Sequence, residues 1–199
     1  ADEIYGELTF GENKFHPMHE ISTTVPILSV GGLAKQYLVP GWRVGWIVMH
    51  DRQDIFKKAD IGGAIFRLTT LIVGANSLVQ SVVQHALENT SNQFYTDLNK
   101  ILEENANYCF DRISKIPGLR PIRPQGAMYI MVEVLVNKTV EDDLQFTKML
   151  LKEQSVFVLP GRCFGADNFF RIVFCPPKDT LKIACDRMEE FCQKYFLQN

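Results

Sequence analysis

The chain is 199 residues long, 46% apolar and 22% charged, a balance that suits one good-sized hydrophobic core or two smaller ones and excludes intrinsic disorder. Its formal net charge of −2 supplies no basic surface, so neither nucleic acid nor an anionic membrane is expected as a partner. No apolar run approaches the roughly 20 residues of a bilayer-spanning helix, and the 5 cysteines, without a Cys-x-x-Cys pair, predict buried thiols in a reducing compartment, the cytoplasm by default.

The opening Ala1-Asp2-Glu3-Ile4-Tyr5-Gly6 has no methionine and reads as the end of a strand that begins elsewhere, as in a piece of a longer protein. Pro26-Ile27-Leu28-Ser29-Val30 and Val44-Gly45-Trp46-Ile47-Val48-Met49 are short apolar runs bounded by turn residues and fit buried strands. The Gly31-Gly32 and Pro40-Gly41 pairs make the stretch between them an irregular connection. From Asn76, apolar residues recur at helical spacing through Leu78, Val79, Val82, Val83, Ala86 and Leu87. Ser91 or Asn92 caps a second helix, which ends before Pro117-Gly118 and is long enough to bridge two domains. A small α/β unit follows. Strands are expected over 127–134, 156–159 and 169–175, and a helix over 142–154, with acids in its first turn and Lys152 in its last, which matches the helix dipole. A final helix turns Leu181, Ala184, Cys185, Met188, Phe191 and Tyr195 to one side. Alternating short strands and longer helices predict an α/β fold, with domains over 1–98 and 99–199.

The four histidines have no metal-ligand spacing, and no metal is expected. Gly-x-Ser-x-Gly, P-loop and Gly-x-Gly-x-x-Gly patterns are absent from the sequence. Four places carry chemistry, each with a plainer alternative. Lys35 lies in a Gly-flanked loop between two apolar strands; a solvent-facing lysine is the usual case, but such a loop is where open α/β sheets bind ligands, and a partly desolvated lysine there is a good carbonyl nucleophile. Arg43 opens the second strand and, if buried, needs an anion, either a carboxylate of the protein or a phosphate. Asp2 can cap a helix or pair with a lysine, or, beside Tyr5, it can face a ring nitrogen. Arg171 interrupts Phe169-Phe170-Arg171-Ile172-Val173-Phe174, and its counter-ion is either internal or the carboxylate of a substrate.

Together these segments resemble the fold-type I pyridoxal-phosphate enzymes, most closely the tyrosine aminotransferases, along essentially the whole chain. The most specific piece is Gly31-Gly32-Leu33-Ala34-Lys35 followed by Val39-Pro40-Gly41-Trp42-Arg43-Val44-Gly45-Trp46. Asp2-Glu3-Ile4-Tyr5, Pro124-Gln125-Gly126-Ala127-Met128-Tyr129 and Leu159-Pro160-Gly161-Arg162-Cys163-Phe164-Gly165 with Phe170-Arg171-Ile172 are similar to further segments of that family. The resemblance implies part of a large domain built on a mainly parallel sheet, then a small C-terminal domain. It implies pyridoxal 5′-phosphate as cofactor, held as a Schiff base on Lys35, with Arg43 on its phosphate, Asp2 on the pyridine nitrogen and Tyr5 at the ring oxygen. Arg171 grips the substrate carboxylate.

The implied reaction is transamination of an aromatic L-amino acid, tyrosine foremost, with a 2-oxo acid such as 2-oxoglutarate, in a homodimer. Two alternatives stay open: another reaction of the same cofactor, such as β-elimination, and a non-catalytic fragment with a structural or assembly role. The sequence departs from the family in two ways. Gly32 stands where many relatives have a phosphate-binding serine, with Ser29 as the nearest substitute, and the family's N-terminal half has no counterpart here.

Overall fold

A computed structural model describes residues 1–197; residues 198 and 199, the end of the expected second domain, lie outside the described residues. The chain divides into two compact units, Ala1–Asp97 and Leu98–Asn199.

In the first unit a short helix α1 (Met18–Ile21) precedes strand β1 (Ile27–Gly32), which pairs antiparallel with β2 (Gly45–His50) from Ile27↔His50 to Gly32↔Gly45. Residues 1–3 lie along the other side of β1. Asp2 forms a parallel bridge with Val30, the Val30 amide donates to the Ala1 carbonyl at 2.8 Å, and the Glu3 amide donates to the Val30 carbonyl at 2.9 Å. The parallel pairing expected of this sheet is represented in the chain by that bridge. Strand β1 is accordingly the more covered of the pair, with Ile27 and Ser29 buried, whereas Ile47, Val48 and Met49 of β2 are exposed. This corrects the expectation of a second buried strand: among the described residues β2 pairs in a ladder with β1 alone and is an edge.

Helices α2 (Ile55–Lys58) and α3 (Ile61–Thr69) escaped the sequence reading. The first is barely one turn, and the second carries Gly62-Gly63, which reads as a breaker. Helix α4 (Ser77–Asn89) begins as expected, with Asn76 accepting from the amides of Leu78 and Val79 at 2.9 and 3.2 Å. Its apolar stripe is present, yet none of its residues is buried. Helix α5 (Asn92–Ile113) crosses from one unit into the next, and its buried residues, Leu102, Asn105, Ala106, Cys109 and Ile113, all belong to the second.

The second unit is a four-stranded antiparallel sheet in the order β3-β4-β6-β5, from Leu119–Pro121, Tyr129–Val134, Leu159–Pro160 (β5) and Phe169–Val173 (β6). Ile130, Val132, Phe170 and Ile172 are buried on one face of the central strands. Helices α6 (Asp143–Gln154) and α7 (Lys178–Phe196) pack in the same core. Phe146 of α6 stacks on Phe170 at 4.9 Å between centroids and meets Phe191 of α7 edge-on at 5.5 Å. Each of these fully buried side chains contributes about 1.5–3 kcal/mol of transfer free energy.

Strand 156–159 shrinks to Leu159–Pro160. Val156 and Val158 are buried while Phe157 is exposed, so the alternation of a strand is there, but its backbone lacks a ladder partner and Pro160 has no N–H to give. All five cysteines are free; Cys109, Cys185 and Cys192 are buried, while Cys163 and Cys175 are exposed, contrary to the expectation for those two. Among the described residues no helix is long and apolar enough to cross a membrane.

Candidate active site

The turn after β1 carries Lys35. Leu33, fully buried, anchors its start; the Leu33 amide donates to the Val44 carbonyl at 3.3 Å, and the Leu38 amide closes the turn on the Lys35 carbonyl at 3.2 Å. Tyr37 meets Tyr95 edge-on at 5.9 Å, and burial together with the hydrogen bond to Tyr37 pushes the Tyr95 phenol up. Between these anchors Lys35 is half-buried, its Nζ 5.9 Å from the centroid of Tyr5. Among the described residues no carboxylate pairs with it.

Arg43 departs from expectation. It does not open a buried strand but ends the 3-10 turn Pro40–Trp42 in the left-handed conformation, φ 54°, and is exposed. One guanidinium nitrogen donates to the Pro40 carbonyl at 2.9 Å. Because the group is solvated, burial does not force a counter-ion on it, and no ion pair to it exists among the described residues. The rest of its donor fork remains available.

Asp2 is exposed, and its Oδ1 accepts from the Ile4 amide at 3.3 Å, a local turn contact rather than a helix cap or a lysine pair. The bridge to Val30 fixes its backbone beside the strand that leads to Lys35. Tyr5 follows three residues on, half-buried. The fold thus sets Asp2 beside β1 and the Lys35 amine 5.9 Å from the Tyr5 ring, with Arg43 in the same loop as the lysine.

Ser29 does not take the place of the serine missing at residue 32. The two positions are an odd number apart in β1 and so face opposite sides of the sheet. The Ser29 hydroxyl is buried without a hydrogen-bond partner among the described residues. The glycine itself has a structural cause: a Cβ at Gly32 would lie 2.9 Å from the Val44 carbonyl oxygen, and one at Gly31 would lie 2.7 Å from Nε1 of Trp46. Gly32→Ser is therefore expected to cost about 1–3 kcal/mol of stability by overpacking, read as a lower denaturant midpoint; an unchanged midpoint would show that the strands part freely there.

Arg171 belongs to the second unit, on β6 opposite Met131 of β4 and Leu159 of β5. An internal carboxylate, one of the two counter-ions left open by the sequence, is not its partner, since no ion pair to Arg171 exists among the described residues. Its Nε is buried without a hydrogen-bond partner among the described residues, and its guanidinium lies over the rings of Phe164 at 4.2 Å and Tyr129 at 5.0 Å. Sequence reasoning did not single out these two aromatics. Both lie in segments that carry the family likeness, but only the strand register and the turn after β5 bring them onto the arginine.

The turn that presents Phe164 has its own anchor, also missed. Asp143, with no exposed side-chain surface, accepts from the Arg162 backbone amide at 3.0 Å and from its guanidinium at 2.9 and 3.1 Å; Asp142 accepts from the same guanidinium at 2.8 Å. Burial alone would raise the Asp143 carboxyl, but the hydrogen bonds from Arg162 outweigh it and hold the group below the usual carboxylate range.

A model of the family "Aminotransferase class I and II" matches residues 1–188. The chain is 46% identical over 198 residues to tyrosine aminotransferase of Mus musculus, covering 98% of this chain and 43% of that protein. It is also 46% identical over 200 residues to tyrosine aminotransferase of Dictyostelium discoideum, covering 98% of this chain and 48% of that one. The crystal structure of tyrosine aminotransferase from Leishmania infantum superposes with a TM-score of 0.89 at 32% identity, over 97% of this chain and 47% of that one. The chain thus spans under half the length of the relatives it matches. With the fold, the lysine-to-arginine turn and a match over most of its length in agreement, the chain belongs to the aminotransferase class I and II family.

Proposed function

We propose that the intact protein is a pyridoxal-phosphate-dependent aminotransferase that moves the amino group of an aromatic L-amino acid, tyrosine foremost, to a 2-oxo acid such as 2-oxoglutarate. The observation that carries the proposal is the pair Lys35 and Arg43: a half-buried amine and, eight residues on in the same loop, a solvated guanidinium, neither in an ion pair among the described residues. The donor set fits the cofactor, since an aldehyde needs an amine to condense with, a phosphate needs a cation, and a pyridinium nitrogen needs a carboxylate, here Asp2. When bound, pyridoxal phosphate supplies the electron sink that makes the α-proton of an attached amino acid acidic.

The protein's own part is positional and electrostatic. Lys35 would hold the cofactor through its Nζ and, once freed, would act as the general base at the substrate α-carbon. Arg43 offers its remaining N–H donors to the phosphate. Asp2 would meet the ring nitrogen of the cofactor with its carboxylate, and Tyr5 would meet the ring oxygen with its hydroxyl. Arg171 binds the substrate α-carboxylate through two parallel hydrogen bonds. Support for the aromatic substrate comes from the tyrosine aminotransferases the chain resembles. A homodimer fits the apolar side chains that the first unit leaves exposed, among them Ile47, Phe66, Leu71 and Leu78, and the cytoplasm is the compartment that suits five unpaired thiols.

Borohydride reduction of the intact protein with pyridoxal phosphate, followed by peptide mapping, tests the proposal. The adduct is expected on the peptide containing Lys35; an adduct at another lysine only, or none, defeats it. Product analysis separates the lyase alternative, which releases ammonia without forming a new amino acid.

A further inference from the structure

A cation placed in a strand usually has its N–H donors taken up by a carboxylate, and a guanidinium so engaged cannot grip a second one. Arg171 is held differently. Direct pairing Met131↔Arg171 and Tyr129↔Val173 puts Tyr129 on the same face of the sheet as Arg171, one diagonal away, within reach of a long side chain. The 3-10 turn Gly161–Phe164 brings Phe164 over the same guanidinium at 4.2 Å, against 5.0 Å for Tyr129. The turn itself is tied down by the pairing of Arg162 with Asp143 and Asp142. An aromatic face attracts a cation through its quadrupole and occupies none of its in-plane N–H donors.

We propose that Phe164 and Tyr129 are positioning residues that hold the Arg171 guanidinium by its flat faces, so that its planar donor fork stays free and fixed for a substrate carboxylate. This rests on the reading of Arg171 as the carboxylate-binding residue. The aromatic pair stands in for the counter-ion that an arginine in a strand would otherwise take. It keeps the cation in place in the empty site and spares the incoming carboxylate a competitor. The pair acts on binding of the carboxylate and not on the proton transfer at Lys35, so the two functions separate in kinetics.

The test compares Phe164→Leu, Phe164→Tyr, Tyr129→Leu and Arg171→Leu in the intact protein, by steady-state kinetics with a 2-oxo acid acceptor. Phe164 is 45% exposed, so the change to leucine removes the π face with little loss of core packing. The expected result is a KM for the acceptor raised about tenfold by Phe164→Leu with kcat close to that of the parent, near-parental KM for Phe164→Tyr, and a rise of about a hundredfold or more for Arg171→Leu. Tyr129→Leu is expected to follow Phe164→Leu with a smaller rise. A raised KM in Arg171→Leu with unchanged KM in both Phe164→Leu and Tyr129→Leu overturns the clamp and leaves the arginine reading standing. Unchanged KM in Arg171→Leu overturns the arginine reading and the clamp with it. If Phe164→Leu lowers kcat alone, or Phe164→Tyr is as impaired as Phe164→Leu, a role in general folding is indicated and the clamp is rejected.

Discussion

Lys35→Ala in the intact protein is expected to lower the turnover of transamination by at least about a thousandfold, because a positioned general base alone contributes about 10²–10⁴ and the same substitution removes the covalent anchor. Lys35→Arg should be as inactive, although it keeps the positive charge beside Tyr5: a guanidinium has no neutral fraction near pH 7 and cannot condense with an aldehyde or accept a proton from carbon. The pair therefore separates charge from nucleophilicity. Added small primary amines are expected to restore part of the turnover of Lys35→Ala, since they return a base to the space that the side chain vacates. The measurement is single-turnover amino transfer, followed by the appearance of the 2-oxo acid product. If either variant keeps a tenth of parental turnover, another group performs the proton transfer and Lys35 is not the acting residue.

How far a sequence discloses such a site depends on whether the deciding contact is local. Lys35 and Arg43 share one loop, and their spacing, the flanking glycines and the Pro40-Gly41 turn were all visible. The helices with strong periodicity were visible too, and the structure adds the caps: Asn76 and Asp142 accept from backbone amides of the first turn. The environment of Arg43 was not visible, because an apolar run following it suggests a buried strand, and only the pairing pattern reveals that β2 is an edge and that the arginine sits outside it in a left-handed turn. Arg171 was noticed for the opposite reason: a charge in a strongly apolar strand is conspicuous. What holds it was hidden, since Phe164 and Tyr129 are 7 and 42 positions away and reach it only through the register of β4 with β6. Asp143 was read as a helix-dipole residue. Its role as a buried partner for a residue 19 positions on could not follow from any spacing.

That buried carboxylate gives the largest expected loss of stability. Arg162→Leu leaves Asp143 without its cation in a site where none of its side-chain surface is exposed, and because Arg162 is itself 38% exposed the loss is about 2–4 kcal/mol, below that of a pair buried on both sides. For a unit of about 100 residues this corresponds to a fall in unfolding temperature of at least about 8 °C. The double variant Asp143→Asn with Arg162→Leu is expected to be the more stable of the two, because a neutral amide in that position has no charge to desolvate. The pH dependence carries the same sign information. In the parent the folded carboxyl lies below the usual range, under the hydrogen bonds of Arg162, and thus below its unfolded value of about 3.9; the stabilisation is complete above that value and is lost as pH falls through the folded one. In Arg162→Leu the guanidinium no longer offsets burial, leaving the backbone amide of residue 162 as the remaining donor of the pair, and the carboxyl rises. Its penalty is then greatest near neutrality and is relieved as pH falls, so the gap between variant and parent narrows on acidification from pH 7 to pH 5. The measurement is thermal unfolding of parent, single and double variants across that range. A gap that stays constant with pH, together with equal losses in the single and double variants, would mean that the charge of Asp143 is not what Arg162 is there to satisfy, and the turn that carries Phe164 toward Arg171 would need another anchor.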